Sequence, residues 1–74
     1  MTRLELLING NNLSSYALIG MEIIEVSVDG IGRSKILTSS SPQDQEVVFD
    51  STNGSLTFAE TFDNVQIFVL YQNA

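Results

Sequence analysis

Residues 65–72, Val65-Gln66-Ile67-Phe68-Val69-Leu70-Tyr71-Gln72, decide the fold. Val65, Ile67, Val69 and Tyr71 recur with a period of two, the spacing at which side chains share one face of a β-strand. Phe68 and Leu70 fall on the opposite face, between Gln66 and Gln72. A strand that is apolar on both sides lies between two layers or against another subunit. A chain of 74 residues has little material for a second covering layer. The second face is therefore expected to be a contact surface.

The same period runs upstream. Residues 46–50, 55–60 and 65–72 read as a three-stranded meander, reversing at Ser51-Thr52-Asn53-Gly54 and again at Thr61-Phe62-Asp63-Asn64. Asn53-Gly54 suits a turn that needs positive φ. Residues 38–45 hold the single proline and no large apolar group, and are expected to form the one long loop. Ser41-Pro42 with Gln45 beyond offers a weak helix-start pattern there, which the β-formers Val47-Val48-Phe49 oppose.

Earlier still, residues 21–29 alternate with Ile24, Val26 and Val28 on one face and Ile23, Glu25, Ser27 and Asp29 on the other. They end at Asp29-Gly30, a hairpin dipeptide. Residues 31–38 then predict the returning strand, which would set the basic Arg33 and Lys35 against the acidic strand before them. Leu4, Leu6 and Ile8 alternate with Arg3, Glu5 and Leu7 in a first strand over 2–9, followed by the turn-forming cluster Asn9-Gly10-Asn11-Asn12. Residues 14–19 form either a short strand or the entry to the next one. Helical spacing is nearly absent. The expected fold is one all-β domain over 1–74, a small antiparallel β-sandwich or barrel of about six to seven short strands.

Composition narrows the function. Val, Ile, Leu and Phe supply 25 residues, enough for a core and too many for a disordered chain. There is no His, Cys or Trp, which removes disulfides, thiol or imidazole catalysis and the usual zinc ligands. A domain this short buries only roughly 60% of the surface its unfolded chain exposes, and its own core rarely contributes more than about 3–5 kcal/mol. Without crosslinks, association is the expected remedy. The formal net charge is −6, and Arg3, Arg33 and Lys35 are the three basic residues. The clustered Lys and Arg that hold nucleic acid are missing, so no nucleic-acid partner is expected. The acidic residues serve solubility and discourage stray edge pairing. The first ten residues hold one Arg and a short apolar run broken by Glu5, so no signal peptide is expected. No run reaches the roughly 18 apolar residues of a membrane span, so no membrane partner is expected either.

Reactive constellations are scarce. Ser34 and Lys35, the one Ser–Lys neighbour pair, point to opposite faces of an extended chain and cannot cooperate. The acid pairs Asp44 with Glu46 and Glu22 with Glu25 read as solvated faces, since a glycosidase needs its carboxylates across a cleft. Asp50, Thr52, Asn53 and Gly54 lack the repeated acids and distal Glu of a calcium loop. Gly30-Ile31-Gly32 precedes a strand, not the helix that phosphate binding requires. No cofactor and no catalytic or metal-binding residue is expected, and an enzyme is the least favoured class. Of six aromatics, the four Phe fall on apolar-face positions, while Tyr16 and Tyr71 keep a polar tip suited to a surface.

Residues 47–58, Val-Val-Phe-Asp-Ser-Thr-Asn-Gly-Ser-Leu-Thr-Phe, and 63–71, Asp-Asn-Val-Gln-Ile-Phe-Val-Leu-Tyr, resemble a cadence of small structural proteins of tailed bacteriophages. These are the head-fibre, tail-fibre and baseplate-associated chains. The resemblance is one of pattern: a Gly turn, a strand ending in Phe, an acidic turn and a last strand closing near Tyr. It implies a virion component made in a host cytoplasm, and it contains no catalytic or binding residue to carry over.

The leading expectation is a non-enzymatic structural or assembly module, completed by copies of itself or by other virion proteins through Leu7, Phe68, Leu70 and Tyr71. A second is a carbohydrate- or host-surface-binding module using Tyr16, Asn11 and Asn12, with Tyr71 as a further platform. A third, an acidic inhibitor that mimics nucleic acid, needs denser negative charge than these interspersed carboxylates provide.

Overall fold

The computed structural model describes residues 1–32, 35–37, 41–43 and 46–74. Two long strands organise it. β1 (Thr2–Ser14) and β6 (Ser55–Asn73) pair antiparallel from Thr2 opposite Tyr71 to Ser14 opposite Ser55. The ladder is regular while Thr2 to Ile8 face Tyr71 to Val65, then breaks around Gly10 and resumes with Asn12 opposite Thr57. Between Ile8 and Asn12, four steps along β1 cover eight along β6, from Val65 to Thr57. Surplus residues on one strand of a pair force a bend and extra twist. Gly10 at φ 111° and Asn64 at φ 53° lie at this corner.

The bend lets the other edge of β6 serve two neighbours. Its C-terminal half pairs with β2 (Met21–Val28), Met21 facing Asn73 and Val28 facing Ile67. Its N-terminal half pairs with β5 (Glu46–Asp50), Val47 facing Phe58 and Asp50 facing Ser55. β3 (Ile31–Gly32) extends β2 through the Asp29-Gly30 hairpin, and both turn residues have positive φ, as expected. β4 (Lys35–Leu37) lies beyond β5. The result is one six-stranded sheet, β3-β2-β6-β5-β4 with β1 on β6, which does not close on itself.

Four expectations are corrected. Residues 61–64 do not reverse the chain, because Phe62 still faces Gly10 and Val65 still faces Ile8 within one continuous strand. Among the described residues, the returning strand after Gly30 pairs with β2 only at Ile31 and Gly32. Lys35 then aligns with Glu46 in a parallel pair with β5, so the sheet is not purely antiparallel; Arg33 and Ser34 lie outside the described residues. The first strand does not end at 9, since the Asn9–Asn12 cluster is the irregular middle of β1. Within β2, the register shift between Ile23 and Glu25 makes Ile24 the surplus residue. Ile23 therefore packs against the core and Ile24 stays exposed, the reverse of simple alternation.

Residues 14–19 resolve as the end of β1 and a 3-10 turn over Tyr16–Leu18, with the Ser15 hydroxyl accepting from the Ala17 N–H. Leu18 from this turn is fully buried. It joins Ile8, Val26, Val28, Val47, Phe49, Leu56, Phe58, Ile67 and Val69 in one cluster drawn from both halves of the bent sheet. β1, β5 and β6 thus bury alternate apolar residues on the inside of the bend, and β2 does so from Val26 onward. Residues 41–43 belong to no helix or strand, and the Gln43 N–H donates to Glu46 Oε1 at 2.8 Å. The rest of the expected loop, 38–40 and 44–45, lies outside the described residues. Among the described residues no helix is long and apolar enough to cross a membrane.

Candidate functional site

The outer face of the sheet is built by the regular half of the β1–β6 ladder. Alternation sends Leu4, Leu6 and Ile8 inward and leaves Arg3, Glu5 and Leu7 outside. On β6 it sends Ile67 and Val69 inward and Phe68 and Leu70 outward, each half-buried. Register then sets Arg3 beside Leu70, Glu5 beside Phe68 and Leu7 beside Gln66. From the other side, β2 brings Glu25 beside Leu70 and Ser27 beside Phe68.

Polar side chains fold down on this apolar strip. The Arg3 guanidinium stands 4.2 Å from the centre of the Phe68 ring, a cation–π contact that also covers part of the ring. Gln66 Nε2 donates to Glu5 Oε2 at 3.4 Å and Gln72 Nε2 donates to Glu22 Oε2 at 3.3 Å, long and exposed bonds. Leu7 has no such cover and is 65% exposed. Leu7, Phe68 and Leu70 therefore share one solvent-facing surface, as their alternation predicts. Tyr71 does not share it: it lies on the inward face and packs against the core.

A second feature sits at the opposite end of the sheet. Asn12, Ser14, Tyr16, Ile19, Asn53 and Ser55 are among the residues lining an open groove of about 590 Å³. Its floor is held by the Ser51–Gly54 turn docking against the 3-10 segment: the Ser15 N–H donates to the Gly54 carbonyl and the Gly20 N–H to the Ser51 carbonyl, both at 3.0 Å. Tyr16 is 94% exposed at the rim. Asn12 Nδ2 donates to Thr57 Oγ1 at 2.6 Å, which fixes the amide in place. The groove gathers Asn12 and Tyr16 but not Asn11, and Tyr71 belongs to the other half of the sheet.

The Asp50 carboxylate accepts from the Thr52 N–H at 3.0 Å and from Asn53 Nδ2 at 2.8 Å. Those bonds close the hairpin turn and engage both carboxylate oxygens locally.

Three participants escape a reading of the residues alone. Arg3 reaches Phe68 only because Thr2 is registered against Tyr71, a pairing between distant segments. Asn53 and Ser55 enter the groove through the docking of the Gly54 turn, a tertiary contact without a local signal. Compared with protein-family models, curated proteins and solved structures, the chain matches none.

Proposed function

We propose that this chain is a non-enzymatic structural or assembly module, a virion component of the fibre, decoration or tail-associated kind, that works by packing its outer β-surface against copies of itself or a neighbouring protein. The single observation that carries this reading is the strip of Leu7, Phe68 and Leu70 on the solvent face of the sheet, with Leu7 65% exposed. A bent sheet of this size forms the two leaves of a small sandwich, and association completes the burial that one chain leaves unfinished. Covering the strip would contribute at about 25 cal/mol per Å² of apolar area removed from water, less the cost of association.

Light scattering at low micromolar concentration tests the proposal. The expected mass is a whole-number multiple of 8.1 kDa, falling to the monomer in Leu7→Glu while far-ultraviolet circular dichroism stays unchanged. A well-folded monomer that also captures no partner in its source would defeat it.

The groove supports a second reading, a carbohydrate- or host-surface-binding module, because Tyr16 stands exposed beside the immobilised amide of Asn12. A flat ring next to oriented amides suits a sugar. Reproducible glycan-array binding that disappears in Tyr16→Ala would favour this reading, and a blank array would remove it.

A further inference from the structure

β1 is an edge strand: among the described residues it pairs with β6 and with no other strand. Its regular stretch, Thr2 to Ile8, carries no proline or bulge, and the two charges it does carry, Arg3 and Glu5, are of opposite sign, so they repel a foreign edge less than they can match a copy of themselves. Such an edge accepts another strand, and a second copy of the same strand meets it across a two-fold axis.

Side-chain parity limits how the two copies can meet. Inward leucines must stay opposite inward residues, so the axis passes through a residue, not between two. A two-fold through Arg3 sets Arg3 against itself, and one through Glu5 sets Glu5 against itself. Both oppose like charges. A two-fold through Leu6 leaves Glu5 against Leu7, and centres further along draw in the broken ladder beyond Ile8. Only the axis through Leu4 sets Arg3 against Glu5 of the second copy, twice over. The same register sets Met1 against Leu7, and these two side chains are 77% and 65% exposed in the single chain. About Leu4 the pairs are Met1 with Leu7, Thr2 with Leu6 and Arg3 with Glu5, so the outward-facing positions match in apolar character and in charge while Thr2 meets Leu6 on the inward face.

We propose that the chain forms a two-fold dimer by antiparallel pairing of β1 with β1 of a second copy, centred on Leu4. The two sheets become one continuous sheet, and the strips of Leu7, Phe68 and Leu70 become a single surface on one side of it. In the single chain the Arg3 guanidinium leans over β6 onto the Phe68 ring; on pairing it turns to the free edge of β1, where the carboxylate of the second copy's Glu5 offers a charge-assisted hydrogen bond. The inference rests on the self-assembly reading above and gives that assembly a partner and a register.

Charge exchange tests it. Sedimentation from low to high micromolar concentration should show a monomer–dimer equilibrium. Arg3→Glu alone and Glu5→Arg alone should each weaken the dimer by about tenfold or more, and the double variant R3E/E5R should restore it. The chain has no cysteine, so Leu4→Cys should give a disulfide-linked dimer under mild oxidation, whereas Leu7→Cys should not. Circular dichroism separates weakened pairing from unfolding, and rescue by the double variant excludes a simple loss of fold. Oligomers that ignore both charge variants but dissolve in Leu7→Glu would overturn the edge register and leave the face-packing reading standing. Crosslinking through Leu7→Cys in place of Leu4→Cys would overturn the Leu4 centre. A wild-type monomer throughout the range would overturn the dimer.

Discussion

Ser51-Thr52-Asn53-Gly54 and Thr61-Phe62-Asp63-Asn64 have similar polar character, and both read as chain reversals, yet only the first reverses the chain. In the first, Gly54 sits at φ 65° and Asp50 closes the loop through Thr52 and Asn53. In the second, Asn64 alone has positive φ, at 53°, while Phe62 stays paired with Gly10 and stacks edge-on against Phe58 at 5.4 Å and 88°. A turn-forming residue reports a local backbone angle. Whether the chain reverses or bends depends on what the flanking residues can pair with, and here β1 runs past the corner and keeps β6 in the ladder.

The comparison breaks most visibly at Gly54. A Cβ there would run into the Ser15 carbonyl oxygen, in a left-handed conformation. Gly54→Ala therefore combines backbone strain with a clash against rigid main chain, and about 3 kcal/mol or more of stability should be lost in urea melts. Gly20→Ala is its control: φ is +74° but nothing lies within 4 Å of the added carbon, so about 1 kcal/mol from strain alone is expected. Equal losses at the two positions would remove the docking of the turn as the cause.

Next in size is Phe62→Ala. The ring is half-buried against the core cluster and its stack on Phe58 braces the bend. Truncation should cost about 2–3 kcal/mol, below the range for fully buried aromatics. Hydrogen exchange should rise first around residues 58–64, and a loss spread evenly over the sheet would argue against a local brace.

Apart from the Gly20 control, the smallest effect is expected at Asn64→Val. A β-branched residue in the left-handed region costs roughly 1–2 kcal/mol. Because the position is an exposed bend within a strand, denaturant midpoints should fall while the slope of unfolding stays unchanged.

Much of the fold was legible where alternation and turn chemistry agree. The inward faces of β1, β5 and β6, the Asp29-Gly30 hairpin and the Gly54 turn follow from residue order alone. What alternation could not show was phase. The surplus residue at Ile24 exchanges the roles of Ile23 and Ile24, and the eight-to-four mismatch at the corner turns two predicted strands into one. Both depend on the partner strand. The parallel pairing of β4 with β5 was likewise hidden, since Lys35 to Leu37 carry no mark of direction. On the candidate surface, the outward positions of Leu7, Phe68 and Leu70 were readable from period two. The inward Tyr71 was placed correctly by the same rule, which removes it from that surface. The groove was half readable: Tyr16 and Asn12 meet there, but only through the docked turn.

β6 hydrogen-bonds to β1, β2 and β5, so every part of the core waits on the segment that leaves the ribosome after the others. Thr2 finds its place only when Tyr71 has been made. Folding of this unit is therefore expected to begin only once β6 has been made, and to be slow for its size because its pairings join distant parts of the chain. Until then the growing polypeptide carries its apolar alternation unprotected, a hazard that a cell meets with chaperones or with rapid synthesis of β6.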